Sequence, residues 1–134
     1  MNCSDTCQQI GSILVPIWRS EIRCKNTHNM TNAKDVIAMI LNPNCNWNHI
    51  QITGSFPHEA IFFTPTDNLV IIYDSYINVR NKEARVYNIQ QFSILIHGLY
   101  SSDASEQRNA YNMLFNTKIT DNVNISNFSI FPLK

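Results

Sequence analysis

Charge is scarce in this chain. Of 134 residues only 15% are Asp, Glu, Lys or Arg, and the 10 basic residues are balanced by 10 acidic ones. A neutral chain offers no electrostatic track for phosphates and no polybasic face for anionic lipid, so neither nucleic acid nor membrane is expected as a partner. No apolar run approaches the roughly 18 residues of a membrane-crossing helix. The opening MNCSDTC lacks the basic and apolar regions of a secretory signal. Glycine numbers 3, and no Gly-rich phosphate loop, internal repeat or low-complexity linker is present. Asn fills much of the polar share, with 18 Asn beside 18 Ile, a pairing that A/T-rich codons also favour. The hydrophobic fraction of 44% and the 10% aromatics exclude a disordered chain. Such a length buries roughly two-thirds of its unfolded surface, so one domain over residues 1–134 is expected, acting as a monomer.

All four cysteines, Cys3, Cys7, Cys24 and Cys45, fall in the first third. Without a secretory signal an even count does not imply a disulfide framework. Sequons at Asn2, Asn29, Asn124 and Asn127 are what chance supplies in so Asn- and Ser-rich a chain.

The apolar period divides the chain into three parts. Cys3, Cys7, Ile10, Leu14 and Ile17 share one helical face, which predicts a helix over 3–18 that Pro16 ends or kinks. Residues 20–30 are polar and read as loop. A second helix is expected from Ala33 to Leu41, started by Asn32 and Asp35 and stopped at Asn42-Pro43. The period then becomes two. Strands are expected at 49–53, 58–64 and 68–74, with a weaker one at 85–87 and Pro65-Thr66-Asp67 as a turn. Leu69 to Tyr73 is apolar on both faces, so helices must cover this sheet. Helices return at 89–99 and 105–115, and residues 123–131 read as an edge strand. The class is α+β: N-terminal helices packed on a small antiparallel sheet.

The hairpin brings chemistry together. With a three-residue loop at 65–67, paired positions sum to 132, and His58 opposes Asp74. Directly opposed residues have Cβ atoms about 4.5–5.5 Å apart. A carboxylate beside an imidazole fixes its tautomer, which is the orienting half of a nucleophilic triad. The N-terminal helix offers Cys3 and Cys7 in its first turn, where unpaired N–H groups favour the thiolate.

The start Asn2-Cys3-Ser4-Asp5 resembles the Asn-Cys-Gly-Glu opening of papain-like cysteine effector and toxin domains. These include deamidase domains of the dermonecrotic-toxin type and type III effector proteases. The later signature of that family is a His beginning an apolar strand and an Asp ending the next. Here the matching segments are His58 in PHEAIFF and Asp74 in VIIYDSY. The chain departs at Ser4, where the family has Gly, and at Asp74-Ser75-Tyr76, where an Asp-Pro-aromatic run is usual. The resemblance implies a papain-like fold, Cys3 as nucleophile, His58 as general base and acid, and Asp74 as orienting carboxylate. It implies a protein substrate and no cofactor. The function expected is a cysteine protease or deamidase: an effector or toxin acting in a host cytoplasm without a Sec signal peptide, or otherwise a cytoplasmic enzyme. Cys7 is the fallback nucleophile, and the Cys3 N–H and Asn2 side chain are the expected oxyanion donors.

Two other readings compete. Adenovirus-type and ubiquitin-like-protein proteases order His, Asp, Gln and Cys, and His58, Asp74 and Gln107 resemble the first three. Met113 then stands at the cysteine position, which implies an inactive binding module. Separately, Cys24-x3-His28 and Cys45-x3-His49 are two pairs of zinc-ligand type that suit a structural site. His97 is expected at a helix margin with no role. Ordinary packing also accounts for a small buried Cys at a helix start and a cross-strand His-Asp pair.

Overall fold

The computed structural model describes residues 28–44, 46–74 and 84–132. The expected helix at 3–18 and all four cysteines lie outside them. Six strands form one antiparallel sheet among the described residues: β1 (His28–Met30), β2 (Trp47–Gly54), β3 (His58–Thr66), β4 (Leu69–Asp74), β5 (Arg85–Asn88) and β6 (Ile125–Pro132). Helix α1 (Ala33–Ile40) joins β1 to β2, and helices α2 (Ile89–Leu99) and α3 (Ala104–Phe115) join β5 to β6. The strand order is β1-β6-β2-β3-β4-β5. Strands β2 to β5 are thus a meander, and the α+β class expected from the period change holds.

Each helix begins where a polar side chain can take up a free backbone N–H. Asn32 accepts from Asp35 N at 2.9 Å and opens α1. Asn88 accepts from Gln91 N at 2.8 Å, with the Gln91 side chain reaching back, and opens α2. Asp103 accepts from Ser105 N and Glu106 N and opens α3. Eight residues are too few for a helix to persist alone in water, so α1 depends on burying Val36 and Ile40. Helix α3 ends at Asn116, whose left-handed φ of 50° suits an asparagine stop.

The three helices cover one face of the sheet. Ile50, Ile52, Ala60, Phe62, Val70, Ile72, Phe128 and Ile130 meet Val36, Ile40, Phe92, Ile96, Leu114 and Phe115 in one buried core. Phe62 and Phe92 pack edge-to-face with centroids 5.4 Å apart. Where α2 crosses α3, a Cβ on Gly98 would lie 2.7 Å from that of Ala110, so the close approach depends on glycine. On the opposite face Trp47 stacks on Phe63 at 3.9 Å, and His49 and Ile61 are fully buried. That face becomes exposed toward β5, where Val86 is 57% accessible.

Three expectations are corrected. Residues 28–30 are a strand rather than loop, because they pair with β6 through Asn29 and Ser129. Strand β6 lies inside the sheet, between β1 and β2, and not at an edge. Its buried Phe128, Ile130 and Phe131 supply the two-sided apolar character that an interior strand needs. The hairpin loop is Asp67-Asn68, because β3 continues through Pro65 to Thr66, which pairs with Leu69. One extra β3 residue between Phe63 and Thr66 forms a bulge, at the one residue there that has no N–H to donate, Pro65.

Gly54 marks a second bulge, where β6 shifts register against β2. Its φ is +152°, and a Cβ there would lie 2.2 Å from the Asn124 carbonyl oxygen. Gly54→Ala is therefore expected to destabilise the fold by about 2–3 kcal/mol. The check is a lower urea midpoint at unchanged m-value.

Candidate active site

His58 opens β3 and pairs with Ile52 of β2, which places it on the helix-covered face. It is 7% exposed. The last two turns of α3 pack against it: the Phe115 ring lies 4.7 Å from the imidazole, tilted by 47°, and Tyr111 lies 6.3 Å away, edge-on. The Tyr111 hydroxyl donates to the Phe56 carbonyl at 2.8 Å, tying α3 to the chain just before His58.

Asp74 pairs with Ala60 and not with His58. The bulge and the two-residue turn make paired positions along the hairpin sum to 134, two more than the three-residue loop gives. A shift of two preserves side-chain parity. Asp74 therefore keeps its position on the face of His58, two residues along, where diagonal neighbours are about 7–8 Å apart. Arg85 pairs with Ile72, so Asp74 stands diagonal to it as well. By register His58, Asp74 and Arg85 share the helix-covered face in steps, Asp74 level with Ala60 and Arg85 level with Phe62. Cys3 and Cys7 lie outside the described residues.

The positions needed by the competing readings are separated. Met113 is 58% exposed in the last turn of α3, while Phe115 and Tyr111 are the residues of that helix that meet His58. Gln107 donates to the Leu99 carbonyl at 2.9 Å, at the end of α2. The two histidines of the zinc reading lie on opposite faces of the sheet. His28 pairs with Ile130, on the helix side, whereas His49 pairs with Phe131. Strand alternation forbids both from serving one ion while the sheet is intact. His49 is stacked on Phe131 at 5.3 Å, with Nε2 3.9 Å from Glu59 Oε1. Among the described residues no three His, Cys, Asp or Glu side chains gather as a metal cluster. His97 is exposed in the last turn of α2.

Sequence reasoning missed the aromatic cover on His58. Phe115 was legible as an apolar helix position, but nothing local ties it to a strand 57 positions earlier. It also missed a cavity of about 330 Å³ beside β6, walled by Leu99, Tyr100, Gln107 and Phe128. There the Tyr100 hydroxyl donates to the Met30 carbonyl at 3.2 Å. No family model, curated protein or solved structure matches this chain.

Burial, and secondarily the Asp35 carboxylate, push the Tyr100 phenol up to about 12. A phenol held neutral in the fold keeps its proton where the unfolded chain has lost it. Its stabilising contribution is therefore complete below pH about 10 and is lost as pH rises toward about 12. Tyr100→Phe should remove the step near pH 12 from the near-ultraviolet tyrosinate titration and flatten the fall in stability over that range.

Proposed function

We propose that the chain is a papain-like cysteine hydrolase acting on a protein amide, as a deamidase or protease. The observation that carries this reading is the β3–β4 register, which puts His58 and Asp74 on one face, offset by two residues. In this reading the Cys3 thiolate attacks the amide carbon. His58 gives its proton to the departing ammonia or amine, leaving a thioester on Cys3. Water then attacks the thioester, His58 takes a proton from it, the C–S bond breaks to return the Cys3 thiolate, and the acyl group leaves as the carboxylic acid. Asp74 holds the imidazole in the tautomer that both steps require. The chemistry needs no cofactor. The resemblance of Asn2-Cys3-Ser4-Asp5 and of the His58 and Asp74 segments to effector and toxin domains supports a protein target in a host cytoplasm.

A second reading, a non-catalytic binding module, is favoured by one observation: His58 is nearly closed off beneath Phe115 and Tyr111. A histidine so covered also serves as an ordinary core side chain.

Iodoacetamide labelling read by mass spectrometry separates the two. The hydrolase reading predicts one N-terminal cysteine, Cys3, alkylated far faster than the other three. Uniformly slow labelling of all four would overturn it. Cys3→Ser, His58→Ala and Asp74→Ala are each expected to lower turnover by about 10³-fold or more with the fold retained. Turnover is followed by the intact mass of candidate targets, where an amide converted to an acid reports deamidation and a cleaved backbone reports proteolysis. Capture of a target that survives Cys3→Ala, without turnover by the unmodified protein, would establish the binding module.

A further inference from the structure

The end of α3 next to His58 is held from the side by the sheet. The last carbonyls of any helix have no partner within it. In α3 two of them are taken up by side chains of β5: Arg85 Nε donates to the Leu114 carbonyl at 3.0 Å, and the Tyr87 hydroxyl donates to the Met113 carbonyl. Arg85 and Tyr87 are two apart on β5 and so share the helix-covered face. A cation at a helix C-terminus is also favoured by the helix dipole. Two donors on adjacent carbonyls fix both the height and the rotation of the final turn, and the next residue is Phe115.

We infer that Arg85 and Tyr87 are positioning residues for His58, acting through Phe115. This rests on the reading of His58 as general base. Phe115 is fully buried, with its ring against the imidazole on one side and against Phe62, centroids 6.3 Å apart, on the other. A helix end free to rotate would carry that ring away and release the imidazole from its orientation. Among the described residues, α3 brings the Tyr111 hydroxyl toward His58 and β2 brings Ile52 and no charge; Asp74 of β4 is level with Ala60 on the same face, and Arg85 of β5 is further off, level with Phe62.

The test uses the whole chain without substrate. In proton–carbon NMR the Hε1 resonance of His58 carries the ring-current shift of Phe115, and Phe115→Leu defines the direction in which its loss moves that signal. Tyr87→Phe removes one hydroxyl and no charge, and should move the signal in that same direction. Arg85→Met should do likewise, and Arg85→Lys, which restores a cationic donor, should return it toward the wild-type position. The fast cysteine alkylation is measured on the same variants and should slow about tenfold in Tyr87→Phe and Arg85→Met, as expected when a reacting group is displaced by a fraction of an ångström. An unmoved His58 signal in both Tyr87→Phe and Arg85→Met overturns the positioning role. A moved signal with unaltered alkylation keeps that role and removes His58 from the chemistry, which overturns the general-base reading instead.

Discussion

Side-chain alternation along β3 is the constraint on which the remainder of the molecule depends. One face of that strand carries His58, Ala60, Phe62 and Thr64, and the other carries Glu59, Ile61 and Phe63. The strand is paired on both sides, with β2 and with β4, so neither face can be exchanged without breaking two ladders. Phe62 fixes which face receives the helices, because it is fully buried between Phe92 of α2 and Phe115 of α3. His58 inherits its environment from that choice. A histidine at the start of the strand is drawn beneath α3 by a phenylalanine four residues on.

The hairpin shows how alternation tolerates error in a loop. A three-residue loop and a two-residue turn with a bulge give registers two apart, and both leave position 74 on the face of position 58. The pairing of parities is therefore a sturdier property of this sequence than the pairing of residues. Thr64 lies in the bulged stretch but bonds away from β4: its N–H donates to the Asn46 carbonyl at 2.9 Å and its hydroxyl reaches the Ile40 carbonyl at 3.3 Å. Thr64 thus ties the end of α1 and the entry of β2 to the hairpin from the β2 side of β3.

What could be read from the sequence follows how local each cause is. Helix α2 has the expected bounds, Ile89 to Leu99, because Phe92, Leu95, Ile96 and Leu99 repeat at helical spacing. Helix α1 was legible from Asn32, Asp35 and the Asn42-Pro43 stop. The meander followed from the period of two at Ile50, Ile52, Ile61 and Ile72. Strand β1 was not legible: His28-Asn29-Met30 has no strand character of its own and is extended because β6 pairs with it. The interior place of β6 was hidden for the same reason. At the candidate site, the common face of His58 and Asp74 came from alternation, whereas the cover by Phe115 and Tyr111 comes from the docking of α3, which no short window of sequence encodes.

The interior place of β6 has a consequence for how the chain is made. Strand β2 ends at Gly54, and the strand that pairs with its outer edge begins at Ile125, roughly 70 residues later. At about 5–20 residues per second, a ribosome leaves that edge unfilled for several seconds. Throughout that interval an apolar strand offers a ladder of unpaired N–H and C=O groups to any neighbouring chain, which is the geometry from which aggregates start. The meander of β2 to β5 can close early on local contacts, but the sheet is finished only when its latest-made strand enters between two that were made first.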